Sequence, residues 1–150
     1  MHFLCLGDGS WRNSLLENVR ALGLASRFHW IPRVQDTEVP LYLNALDALI
    51  LPSETTTCWK EQFGRVLAEA MACGVPVIGS NSGAIPEVIG VAGKVFPEGD
   101  SKALAAAIRS LFENPALCQS LVNEGITRAS KYFSCEAFAW NLTRLYLRNT

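Results

Sequence analysis

The chain has 150 residues, a length that points to a single domain. A chain of this size buries roughly 70 % of the surface its unfolded form exposes and needs no disulfide or metal to hold a core. Hydrophobic residues at 49 %, charged residues at 18 %, and 11 Gly with 7 Pro exclude a disordered, collagen-like or low-complexity chain. Thirteen basic against 14 acidic residues give a net charge of -1, with no basic stripe to follow a phosphate backbone, so nucleic acid is not an expected partner.

Apolar runs such as residues 48–51 are far too short to span a membrane, and Met1 is followed by no basic stretch and apolar core of an export signal. Cys5, Cys58, Cys73, Cys118 and Cys135 are odd in number and form no C-x-x-C pair, while His2 and His29 lie far apart. Neither a metal site nor a disulfide framework is expected. Free thiols fit a cytoplasmic protein.

In chain order, Phe3–Leu6 reads as a strand ending at Gly7-Asp8-Gly9, and Leu15, Val19 and Leu22 make one helical face closed by Gly23. Residues 27–31 are a second strand, 38–46 a short helix behind a cap at Asp36, and 47–51 a third strand stopped by Pro52. Residues 63–73 form a helix closed by Gly74; residues 75–79 are the fourth strand, Ile85–Ile89 a brief helix, and 94–96 the fifth strand. Asp100-Ser101 caps a helix whose apolar face is Leu104, Ala107, Ile108, Leu111 and Phe112. Past Asn114-Pro115 the chain reads helical, breaks near Phe133-Ser134 and resumes with Phe138, Leu142, Leu145 and Tyr146 on one face.

Strand–helix alternation without repeat or linker predicts an α/β domain, a doubly wound, Rossmann-like parallel sheet flanked by helices. Such sheets take ligands beyond the carboxyl ends of their strands. The segment after Leu51 and the Gly79-Ser80-Asn81-Ser82-Gly83 turn stand there.

The first of these leads into a helix expected to start at Phe63-Gly64, whose amides, those of Gly64 to Val66 above all, suit an anion. Glu61 and Glu69 are eight residues apart. On one helix that is about 80° of rotation and ~12 Å of rise, too far to share a proton or a metal. Two duties follow, since a carboxylate accepts from a vicinal diol: one for a sugar, one for a ribose. The ordinary alternatives are a solvated helix surface for Glu69, a first-turn acid for Glu61, core packing for Phe63, a tight entry at Gly64 and a loop plug at Trp59.

The run from Glu61 to Glu69 continues as Ala70-Met71-Ala72-Cys73-Gly74-Val75-Pro76-Val77 and is followed by Ser82-Gly83-Ala84-Ile85-Pro86-Glu87-Val88. This resembles the carboxyl-terminal half of GT-B glycosyltransferases, and is similar to family four of the retaining enzymes with their E-x7-E motif. Gly7-Asp8-Gly9, the run from Gly93 to Pro97, and Gly99-Asp100 also fit. The resemblance covers nearly the whole chain.

It implies a domain that binds a nucleoside-diphosphate sugar and takes part in glycan, polysaccharide or glycolipid synthesis. Glu61 is implied to be the catalytic residue, touching hydroxyls of the donor sugar. Gln62, Phe63, Gly64 and Val66 belong to the surrounding backbone that meets sugar and diphosphate. Glu69 would hold the ribose, and backbone near Arg33-Val34 the base. No obligatory metal and no cofactor beyond the donor are implied.

Gln62 and Ala84 depart from glycines usual in the family. The family's first strand–helix unit, with its Arg and Lys, and its amino-terminal acceptor domain have no counterpart in the sequence, so the chain alone is expected to bind donor weakly and transfer little. The absent domain is one expected partner. Self-association through Trp11 and Trp140, and peripheral membrane association, are others. A non-catalytic nucleotide-binding or partner-docking module, and a GT-B sugar epimerase, are the alternatives.

Overall fold

The structure, a computed structural model, describes residues 1–147. The chain divides into two compact units, Met1–Val39 and the remainder from Pro40.

In the first unit, β1 (Phe3–Leu6) and β2 (Phe28–Ile31) pair in parallel, Phe3 against Phe28 through Leu6 against Ile31. Between them runs α1 (Arg12–Ala21), with Val19 buried and the Arg12 guanidinium 5.4 Å from the centre of the Trp30 ring. β2 begins one residue later than expected, because Arg27 closes the tight turn Ala25–Arg27. The Trp11 ring is 80 % exposed.

The next helix, α2 (Val39–Leu43), starts on the last residue of the first unit and is shorter than the expected 38–46. Its last turn tightens: the amides of Ala45 and Leu46 reach only three residues back, to Tyr42 and Leu43. Glu38 rather than Asp36 closes the turn ahead of it, its carboxylate accepting from the Gln35 amide at 2.9 Å. β3 (Leu49–Leu51), β4 (Val77–Ser80) and β5 (Gly93–Phe96) form a parallel sheet in that order. β4 starts two residues late for a chemical reason: Pro76 lends its carbonyl to the Leu49 amide but has no N–H for the ladder.

Helices cover both faces of this sheet, which is why every residue of β4 is buried. On one side Ile78, Phe96, Leu111 and Leu121 form a core joined by α5 (Ser101–Glu113) and α6 (Pro115–Arg128). On the other pack α3 (Arg65–Ala72) and α4 (Ile85–Ile89), with Leu67, Met71, Ile85 and Ile89 fully buried. Asp100 caps α5 by accepting from Lys102 and Ala103 amides at 3.0 and 2.9 Å, and Asn114 caps α6 at Leu117, 3.0 Å. A wide turn, Ala129–Phe133, and extended Ser134 separate α6 from α7 (Cys135–Leu147). α7 buries no residue: Phe138, Trp140 and Tyr146 are all exposed. No helix among the described residues is long and apolar enough to cross a membrane.

The expected single sheet is therefore found as two parallel sheets, of two and three strands. Both sheets are wholly parallel, as a doubly wound fold requires, with β1 beside β2 in one and β4 between β3 and β5 in the other.

Ile78 is wholly buried at the centre of the second unit. Replacing it with Ala should lower unfolding free energy by about 2–5 kcal/mol, read from denaturant titration with an unchanged slope.

Candidate functional site

The parallel register brings the carboxyl ends of β3, β4 and β5 to one side of the second unit, where the segments 52–64, 81–84 and 97–100 emerge. Hydroxyls fasten the first segment to the second. The Ser80 hydroxyl donates to the Ser53 carbonyl and also receives the Ser82 amide at 3.4 Å. Ser80 and Ser82 are both fully buried. The third segment joins through Glu98, whose amide donates to the Asn81 side chain at 2.8 Å and whose carboxylate takes both the amide and the hydroxyl of Thr55.

Glu61 is gripped by backbone and side chain alike. Its carbonyl accepts from the Ala84 amide at 3.0 Å, and a Cβ on Gly83 would fall 1.8 Å from that same oxygen. Gly83 also has φ +52, so the turn demands glycine twice over. The Glu61 carboxylate accepts from the Gly64 amide at 3.0 Å and the Phe63 amide at 3.4 Å, with the Ser53 hydroxyl 3.3 Å from its second oxygen.

Helix α3 starts two residues after the expected point because Gly64 takes a left-handed conformation, φ 76, ψ 54, and turns the chain into it. The Gly64 amide, expected to face a phosphate, thus meets an acid of its own chain. That acid lies at the positive end of α3, where negative charge is favoured.

Glu69 is on the same helix, 36 % exposed at its side chain, and its carboxylate pairs with the Arg65 Nε at 3.0 Å. It borders an open groove of about 940 Å³ together with Phe63, Arg65, Phe133 and Phe138. Phe63 is not core: its ring is 42 % exposed and meets Phe133 edge-on at 5.5 Å. Gln62 is exposed, and Val66 is half-buried on the first turn of α3. Trp59 is half-exposed and held by Thr56, whose hydroxyl accepts its amide at 3.1 Å. Val34 lies half-buried in the loop after β2, within the first unit.

So Glu61, Phe63 and Gly64 come together at the head of α3, and Glu69 stands farther along it beside the groove. Sequence reasoning missed Glu98, and it singled out the segments holding Thr55, Ser80 and Ser82 without giving those side chains a role. Two serines ending an apolar strand were the available signal, since a hydroxyl buried there must find a partner.

The Glu98 carboxyl is held below its usual range, first by the Thr55 amide and then by the Thr55 hydroxyl. A carboxyl whose pKa is lower folded than unfolded stabilises the fold above its unfolded pKa, and this contribution is lost as pH falls through the folded value. Melting temperature should therefore decline across the acid side of the carboxylate range, and Glu98→Gln should flatten that decline. Gly83→Ala should both lower the melting point and displace Glu61, seen as loss of protection of the Gly64 amide in hydrogen exchange.

The family model described as "Glycosyl transferases group 1" matches residues 1–128. Glycogen synthase of Mycobacterium tuberculosis is 29% identical over 143 residues, which is 94% of this chain and 33% of that enzyme. The C-terminal domain of LpcC, a group 1 family protein of Francisella tularensis, matches with TM-score 0.72 and 25% identity over 83% of this chain and 63% of that one. Anabaena HepE, solved in complex with UDP and glucose, matches with TM-score 0.83 and 25% identity over 98% of this chain and 40% of that one. The chain thus spans about a third of the length of the curated relatives it matches. Its fold is that of the carboxyl-terminal half of GT-B glycosyltransferases, and it belongs to the glycosyl transferases group 1 family.

Proposed function

We propose that this chain is the donor-binding domain of a retaining glycosyltransferase, which moves a sugar from a nucleoside diphosphate to an acceptor. The observation that supports this most is the Glu61 carboxylate resting on the Phe63 and Gly64 amides, at the carboxyl ends of a parallel sheet. An acid that accepts hydrogen bonds stands there beside amides that donate them. A sugar hydroxyl matches the first and a phosphate oxygen the second. The UDP and glucose carried by HepE have the same two chemistries.

In this reading Glu61 is the catalytic residue on the donor sugar. Phe63, Gly64 and Val66 present backbone to the sugar and diphosphate, with Gln62 beside them. Glu69 holds the ribose after releasing Arg65. Arg65, at the first position of α3, is then free to turn toward the diphosphate. Five unpaired cysteines fit a reducing compartment, where such donors are made and used.

Charge limits what the chain does alone. Stabilising a leaving diphosphate takes several kcal/mol from well-aimed donors. A helix end gives ~2 kcal/mol at best. The chain by itself should bind donor weakly and turn over little. The rest of the charge, and the acceptor, belong to other parts of an intact enzyme.

A second reading, a docking module without catalysis, draws on the exposed Phe138, Trp140 and Tyr146 of α7. Concentration-dependent light scattering separates the two, because a docking face of this kind should also drive self-association.

The direct test is calorimetry with UDP-glucose, UDP-N-acetylglucosamine and GDP-mannose, each beside its free nucleoside diphosphate. At least one sugar nucleotide should bind. Glu61→Ala should abolish the preference for that donor over its diphosphate, whereas Glu69→Ala should weaken both. Absence of nucleotide binding, or wild-type behaviour in both variants, would overturn the proposal.

A further inference from the structure

Glu98 lies outside the E-x7-E run, on the turn after β5, and its carboxylate is fully engaged. One oxygen accepts from the Thr55 hydroxyl at 2.7 Å and the other from the Thr55 amide. A threonine hydroxyl has one hydrogen, and here it goes to Glu98. The 3.0 Å contact between Thr55 Oγ1 and Ser82 Oγ must therefore be donated by Ser82. Direction runs one way along the chain of groups, from Ser82 to Thr55 to Glu98, and the only charge in it is the carboxylate that terminates it.

Ser82 gives this chain its leverage. Its side chain is fully buried, out of reach of water that might replace Thr55. Its carbonyl accepts from the Ile85 amide at 3.1 Å and so starts α4. The next residue is Gly83, pressed on the Glu61 carbonyl, and the one after is Ala84, whose amide holds that carbonyl at 3.0 Å. A displacement of Ser82 is passed to Glu61 within two residues. The Asn81 side chain, accepting from the Glu98 amide, keeps Glu98 itself in register with this turn.

We propose that Glu98 is a positioning residue for the donor sugar: through Thr55 and Ser82 it fixes the 82–84 turn on which the Glu61 backbone rests, without touching substrate. The proposal rests on the assignment of Glu61 to the sugar made above. Its route ends on Glu61 and on the Phe63 and Gly64 amides that the Glu61 carboxylate holds. Glu69 and the amides of the first turn of α3 stand on a helix seated by Leu67, Ala70 and Met71, buried independently of Glu98. Loss of Glu98 therefore falls more heavily on recognition of the sugar than on that of the nucleoside diphosphate, which keeps Glu69 and the α3 amides beyond Gly64. Its bonds to Thr55 also hold the carboxyl in its charged form, so the clamp is ionic near neutral pH.

The test compares affinities for the best-bound sugar nucleotide of the panel above and for its free diphosphate, in the protein as its gene encodes it. Glu98→Ala should weaken the sugar nucleotide about tenfold and change the free diphosphate by less than about twofold. Thr55→Val, which keeps shape but lacks the hydroxyl, should act in the same direction, and Thr55→Ser should restore wild-type affinity. The Glu61→Ala/Glu98→Ala double variant should bind no more weakly than Glu61→Ala, since both act through one contact. Equal weakening of both ligands marks general destabilisation and overturns the proposal. So does no change in either, or a double variant whose losses add in full. If Glu61→Ala itself keeps the preference for the sugar nucleotide, the functional assignment of Glu61 is what has failed, and that failure is visible without Glu98.

Discussion

The site depends on one close approach: the Glu61 carbonyl lies where a side chain on residue 83 would be. Without that contact the 52–64 segment would have no backbone anchor near its end, and a long polar loop beyond a strand has little burial to hold it. Fixing it this way costs a turn that only glycine enters readily, with positive φ, directly before α4. The neighbouring serines then serve the same end. They are buried because the turn is tight, and being buried they must bond, to Ser53 and Thr55. Packing and polarity thus specify the same loop conformation, and Glu61 is held in it.

The two acids of the E-x7-E run meet different electrostatics. Glu61 lies against the amides that open α3, a place that stabilises negative charge, and it acts there as an internal anion. Glu69 is one turn beyond Arg65 and neutralises a cation that would otherwise stand unfavourably at that same positive end. Each acid already has a partner within the chain. In the proposed donor complex both would trade a partner within the chain for one on the ligand. Glu61 gives up a helix amide to a phosphate and receives hydroxyls; Glu69 gives up Arg65 and receives the ribose. The charges at the head of α3 are already balanced before the ligand arrives, so the exchange is among similar bonds.

Much of this was legible in the sequence where a single residue type dictates local geometry. Asp100 and Asn114 cap the helices that their positions announce, and the break at Phe133-Ser134 falls where the pattern fails. Strand and helix types were readable throughout; ends shifted where Pro76 has no N–H and where Gly64 bends left-handed, each moving a boundary by two residues. The run Glu61 to Glu69 was readable as a motif, and its place at the head of α3 followed. What could not be read was long-range. Nothing within ten residues of Thr55 or Ser82 points to Glu98, because the three are joined only by the order of β3, β4 and β5 across the sheet. The core alternative for Phe63 could not be settled for the related reason that an apolar residue beside a helix start shows its neighbours only when the distant Phe133 is in place.

The sheet pairings carry the same lesson to the scale of the fold. β4 is buried on both faces and paired on both sides, so its residues are wholly apolar or satisfied. β1 and β3 each pair on one side only among the described residues. An unpaired parallel edge presents donors and acceptors to whatever strand can reach it. Neither strand carries the charges or prolines that usually blunt such an edge, since β1 reads Phe-Leu-Cys-Leu and β3 reads Leu-Ile-Leu. Sequences of this kind are those of interior strands, covered and paired on both sides. The apolar sequences of β1 and β3 are thus of the interior kind, and the carboxyl ends of β3 to β5, where Glu61 and Glu98 stand, are the rim that the second unit builds.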